Sequence, residues 1–239
     1  EVLSGKERSV LRPLQEESRE GFASGIDFLG YRVLWLILPH PGRGLTVMHG
    51  LVSDEEGIVD FSRDEMTRKG FRSFFEEVQE KNQFPTVEME PAYVAFLYAQ
   101  AYRLSLDGKG APPPDYLRAK SEIEAIKKDY AKPLIYSYLE SNDIAGDDRL
   151  SRRGGDLLKV DLFSGWRIET EQIQPYADEI WEAEESKIVL HPAQKEARFQ
   201  GIYQKALMEL FSGQERLLYQ RRLEEMAYIL VRLGKEEEA

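Results

Sequence analysis

Between Gln194 and Gly234 the chain carries two apolar stripes at helical period with a very short link between them. Phe199, Ile202, Tyr203, Ala206, Leu207, Leu210 and Phe211 recur at steps of three and four, and so do Tyr219, Leu223, Met226, Ala227, Leu230 and Leu233. Each stripe has to leave water, and the link makes the other helix its nearest surface. The pattern predicts a helical hairpin at the core of the C-terminal half. Ser212 and Glu215 have the spacing of a capping box, in which the hydroxyl accepts from a backbone N–H and the carboxylate reaches back. Gly234 suits the left-handed residue just past a helix end, with Arg232 and Lys235 beside the negative end of the helix dipole. On this reading Leu207→Asp or Leu223→Asp buries an unpaired carboxylate and unfolds the C-terminal part.

The N-terminal part reads differently. YRVLWLIL (residues 31–38) places Tyr31, Val33, Trp35 and Ile37 on one strand face and Leu34, Leu36 and Leu38 on the other. Apolar residues on both faces mark an interior strand. PHPGRG, LTVMHGLV, SDEEG and IVDF come next, alternating breakers with strand-like runs, so residues 31–62 read as a three-stranded antiparallel meander. Ser62 and Glu65 open a helix candidate over 62–81, placed on one face of the meander. Pro91 suits the first turn of a second helix to about residue 105, apolar nearly all round and therefore buried. Residues 1–30 are polar and mixed, with a short helix starting near Ser4 and glycines 21, 25 and 30 loosening the rest of the segment.

LDGKGAPPP (about 106–114) reads as a linker, stiffened by its prolines. Asp115 then caps a helix through about Tyr130, and a short helical piece covers 134–139. Residues 141–156 read as an exposed Gly-rich loop, Pro175 opens a helix to about Glu185, and 187–192 connects to the hairpin. The expected fold is α+β and predominantly α-helical. A small antiparallel β-meander packed by helices lies in an α+β region, 1–108. A C-terminal helical array of α-hairpins, irregular and solenoid-like, fills 115–239.

Composition removes several function classes. The 43 acidic and 32 basic residues leave a net charge of −11, which disfavours nucleic acid and anionic membrane surfaces as partners. Cysteine is absent, so disulfides, thiolate metal sites and cysteine nucleophiles are excluded, and a reducing cytoplasm is the simplest location. No apolar run approaches the roughly 20 residues of a membrane helix. The chain starts without Met and ends in KEEEA, which resembles the first turn of a further helix, so the sequence reads as a piece of a longer protein.

Motifs for chemistry are weak. His40 and His49 stand at opposite ends of the first hairpin, where a metal would need a third ligand such as Asp54 or Asp60; His191 lies in a connector. HPGRG lacks the spacing and the following helix of a phosphate loop. Acidic groups at Asp54–Glu55–Glu56, Asp147–Asp148 and Glu182–Glu184–Glu185 lie in loops or on polar helix faces, where solvation is the default reading. Arg216, Arg221 and Arg222 alternate with Glu215, Glu224 and Glu225 as an ordinary charge-laced outer helix face. Arg149, Arg152 and Arg153, with Arg43 in the hairpin turn, are the candidate docking residues for an anion or a partner, because guanidinium offers a fork of donors. No catalytic, metal-binding or cofactor-binding residue is assigned. The reading is a non-catalytic protein-interaction or scaffold domain, bound to a protein partner or to the remainder of its own chain. The alternative is a metal-dependent hydrolase or nuclease using dispersed carboxylates.

Overall fold

The computed structural model describes residues 19–41, 44–81, 85–108, 111–139, 153–166, 168, 170–185 and 191–236. They form two compact units, one within Glu1–Ser24 and Val33–Asp129, the other within Gly25–Arg32 and Tyr130–Ala239. The expected helix near Ser4, the 141–152 part of the expected loop and most of the 187–192 connector lie outside the described residues.

The first unit is built on a five-stranded antiparallel sheet in the order β4-β3-β2-β1-β5. Its strands are β1 (Glu20–Ser24), β2 (Tyr31–His40), β3 (Gly44–Ser53), β4 (Gly57–Met66) and β5 (Thr86–Glu88). The expected meander is β2-β3-β4. Its last strand runs on to Met66, so Ser62 is a strand residue opposite His49 and not a helix cap. The cap is Thr67, whose hydroxyl accepts from Gly70 N–H at 3.1 Å and opens α1 (Arg68–Lys81).

Strands β1 and β5 occupy stretches with loop character in the sequence, because Gly21 and a three-residue run carry little strand signal. The glycine is needed there for close approach. A Cβ on Gly21 would sit 2.7 Å from the Met89 carbonyl oxygen, and Met89 N–H donates to Gly21 O at 2.9 Å.

Helices cover both faces. On one, Trp35, Ile37, Leu45 and Val47 pack with Phe71 of α1, joined by Phe22, Phe74, Phe75 and Val78. On the other lie α2 (Pro91–Asp107) and α3 (Pro114–Glu124). Tyr98 donates its hydroxyl to Leu34 O at 2.7 Å, and Phe61 meets the Tyr98 and Tyr116 rings edge-on at 5.4 and 5.3 Å. Burial pushes both phenol groups well above their ordinary range. The 106–114 segment lies between two helices of this unit, since Tyr116, Ala119 and Ile123 of α3 are buried in it. Pro113 occupies the cap position, so Asp115 falls in the first turn of α3, and the helix ends at Glu124. The division between units comes after Asp129.

The second unit contains α4 (Thr170–Glu185), α5 (Pro192–Leu210) and α6 (Gly213–Arg232), with short 3₁₀ turns at Leu134–Ser137, Gly154–Lys159 and Asp161–Phe163. Helix α4 starts five residues before the expected Pro175, near enough to its N-terminus that the missing proline N–H costs one hydrogen bond. Among the described residues no helix is long and apolar enough to cross a membrane.

Candidate protein-docking surface

Helix α6 is fixed by a face rotated from the expected stripe. Met226, Ile229 and Leu230 are buried, and Arg222 and Glu225 are buried with them. The sequence pattern puts these two charges outside; the structure places them inside. Arg32 Nη1 donates to Glu225 Oε2 at 2.8 Å, and Arg221 Nη2 stands 3.0 Å from Oε1 of the same carboxylate. Arg222 Nη1 donates to Phe28 O at 2.7 Å, with its guanidinium 5.2 Å from the Tyr219 ring centroid. The segment 25–32 thus anchors α6 through polar groups, and Tyr136 adds a hydroxyl bond to Glu224 at 2.7 Å. That bond to the carboxylate raises the Tyr136 pKa. The expected C-terminus holds: Gly234 has φ +74°, and Lys235 N–H donates back to Leu230 O. Ser212 occupies the N-cap of α6, but its hydroxyl makes no cap bond. The capping box in this region belongs to α5, where His191 accepts from Ala193 N–H and Gln194 reaches back to His191 N–H.

The principal partner of α5 is α4, lying antiparallel to it. Lys205 reaches Glu179 at 2.5 Å, Tyr176 donates to Glu209 at 2.7 Å, and Lys195 lies 3.9 Å from Glu184. The hydrogen bond to Glu179 raises the Lys205 pKa, and that to Glu209 raises the Tyr176 pKa. The α5 stripe is wider than this seat. Ile202 is buried and Phe199, Ala206 and Leu210 are half-buried, but Tyr203 and Leu207 face out.

Large apolar side chains therefore stay in water. Trp181, Tyr203, Leu207, Met208, Leu217 and Leu223 are each 38–74 % exposed. At the corner between α5 and α6, Leu207, Phe211, Tyr219 and Leu223 line an open wedge of about 560 Å³, rimmed by Arg216, Gln220 and Glu224. The Phe211 and Tyr219 rings meet edge-on at 5.4 Å across it. Of these six, Leu207 and Leu223 line the wedge, and an apolar groove open to water is a candidate interaction surface. Leu207 and Leu223 were expected in the core. The structure leaves both partly in water, so an aspartate at either position buries no unpaired charge.

Of the candidate docking arginines, Arg153 is exposed and lies 3.8 Å from Asp156 in its own turn. Arg43, Arg149 and Arg152 lie outside the described residues, so no shared site is assembled from the four. Arg63, Asp115, Arg118 and Glu122 line a polar hollow in the first unit, where Arg63 pairs with Glu122 and Arg118 with Asp115.

The histidines separate. His40 Nδ1 is 3.6 Å from Glu65, whereas His49 stacks on Trp35 and shares a 2.7 Å hydrogen bond with Ser62 Oγ. Burial lowers the His49 pKa, against the opposing charges of Asp64 and Asp60. The Ser–His contact has the length of a nucleophile–base pair, but the ring is clamped between Trp35 and Phe74 under α1 and serves packing. Among the described residues no group of three or more His, Asp or Glu side chains is placed to hold a metal ion.

No known protein family, curated protein or solved structure matches this chain.

Proposed function

We propose that this chain is a non-catalytic protein-interaction domain. Its helical unit acts as a docking platform in the manner of an irregular helical solenoid. The observation that carries the reading is the apolar wedge at the α5–α6 corner, lined by Leu207, Phe211, Tyr219 and Leu223. Covering one large apolar side chain contributes about 1.5–3 kcal/mol, so four anchors supply roughly 6–12 kcal/mol, of the same order as the cost of association, and further contacts with the partner set the affinity. The occupant we infer is an amphipathic helix of a protein partner, laying i, i+3, i+4 and i+7 side chains into the wedge.

The test is affinity capture with the wild type, with Leu207→Asp, and with Val59→Asp as a surface control in the sheet unit, each verified folded by circular dichroism. A protein recovered by the wild type and by Val59→Asp but lost with Leu207→Asp supports the wedge. Equal recovery by all three, or recovery by none, removes it.

A further inference from the structure

We propose that the helix seated in the α5–α6 wedge carries one carboxylate beside its apolar anchors and sets it on Arg216. This rests on the interaction reading above and names the partner's chemistry. The three polar groups on the rim of the wedge differ in what they already hold. Glu224 Oε1 accepts from the Tyr136 hydroxyl at 2.7 Å and from Gln220 Nε2 at 2.8 Å, so both of these rim side chains are engaged. Arg216 is exposed, and its guanidinium has no ion-pair or hydrogen-bond partner among the described residues. The positions one turn away from it, Ser212, Gly213, Tyr219 and Gln220, include no acidic residue.

Arg216 is the fourth residue of α6, near the positive end of the helix dipole, where a cation weakens its own helix. It lines the same groove as Leu207, Phe211, Tyr219 and Leu223. A helix that fills this groove with apolar side chains brings its flanking polar positions to the rim. Guanidinium is a planar fork that meets a carboxylate with two parallel N–H···O bonds. Glu224 lies about 12 Å further along α6 and repels a second carboxylate, so the acid belongs at the Arg216 end of the partner. The net charge of −11 makes a broadly acidic segment or a second copy of this chain a poor fit. A single carboxylate in contact with Arg216 lies well inside the roughly 8–10 Å beyond which salt screens the remaining charges.

The experiment uses the intact chain and three synthetic amphipathic helices that share one leucine pattern and differ at a single flanking position, Glu, Gln or Lys. Binding is read from the fluorescence anisotropy of the labelled peptides at physiological salt. The Glu peptide is expected to bind tightest and the Lys peptide weakest, with Glu about threefold tighter than Gln, or ~0.65 kcal/mol. Arg216→Glu suits the helix dipole, should leave melting unchanged, and inverts the order. Leu207→Asp weakens all three peptides. Equal binding of the three, or an order that Arg216→Glu leaves unchanged, overturns the carboxylate contact; the interaction reading stands if Leu207→Asp still weakens them. Binding indifferent to Leu207→Asp, or no binding of any peptide, overturns both. Self-association in sedimentation that Leu207→Asp abolishes overturns the proposal in favour of a second copy of this chain. Binding of zwitterionic vesicles that the same variant abolishes overturns it in favour of a lipid surface.

Discussion

Replacing Glu225 by Gln removes one charge and almost no volume. The carboxylate is 3 % exposed and lies 2.8 Å from Arg32, itself 5 % exposed. At that distance the attraction is about 6 kcal/mol for an effective dielectric constant near 20, most of it offset by the desolvation of both ions. The substitution acts through the partner: Arg32 stays buried and loses this counter-charge, as does the nearby Arg221. Removing one partner of a buried pair costs about 3–5 kcal/mol. For a chain of this size that corresponds to a melting shift of roughly 6–20 °C. The assay is thermal denaturation monitored by far-UV circular dichroism and by tryptophan emission. The double replacement Arg32→Met/Glu225→Leu keeps the volume apolar and should recover most of the loss. Glu225→Gln melting within a degree of the wild type would refute the reasoning, as would a double variant no better than the single one.

The packing sets three further outcomes. Gly57 has φ +88° and its Cβ would lie 2.2 Å from Ser105 Oγ and 2.5 Å from Ala101 O, so Gly57→Ala should cost at least about 1–3 kcal/mol in urea unfolding; an unchanged midpoint would contradict the tight turn on α2. Because burial holds the folded His49 pKa below 6.5, the folded state binds fewer protons than the unfolded one. Its contribution is complete above pH 6.5 and declines as pH falls from there through the folded value; His49→Gln should flatten that part of a stability–pH curve, and an identical curve would remove His49 as its source. Leu207→Asp should change stability by no more than about 0.5 kcal/mol, whereas Ile229→Asp should unfold the helical unit; the reverse order in melting experiments would restore the expected hairpin core.

The strongest periodicities locate elements well and partners poorly. The apolar run at residues 31–38, apolar on both strand faces, identifies an interior strand because both faces of β2 are indeed covered. The nearly all-apolar Ala92–Tyr102 run identifies a buried helix for the same reason. The short strands β1 and β5 escape because Gly21 and Thr86–Glu88 owe their conformation to neighbours distant in sequence. In α5 and α6 the stripes are legible, but their seats are not. Period alone cannot say that α5 pairs with α4, nor that the buried face of α6 passes through Arg222, Glu225 and Ile229. A hint exists in Tyr228 and Ile229, apolar residues that the expected stripe leaves outside. The apolar wedge is hidden for the related reason that its lining residues look like core in sequence. Ser62–Glu65 shows the converse: cap spacing also occurs within strands, and Ser62 pairs with His49 across β3 and β4.

Amide hydrogen exchange of the chain, alone and with the partner recovered by capture, tests most directly whether the helical unit is the docking platform. Protection concentrated in the C-terminal half of α5 and the first turns of α6, with the sheet unchanged, is the expected result. Protection confined to the sheet unit, or none in residues 170–225, would contradict it.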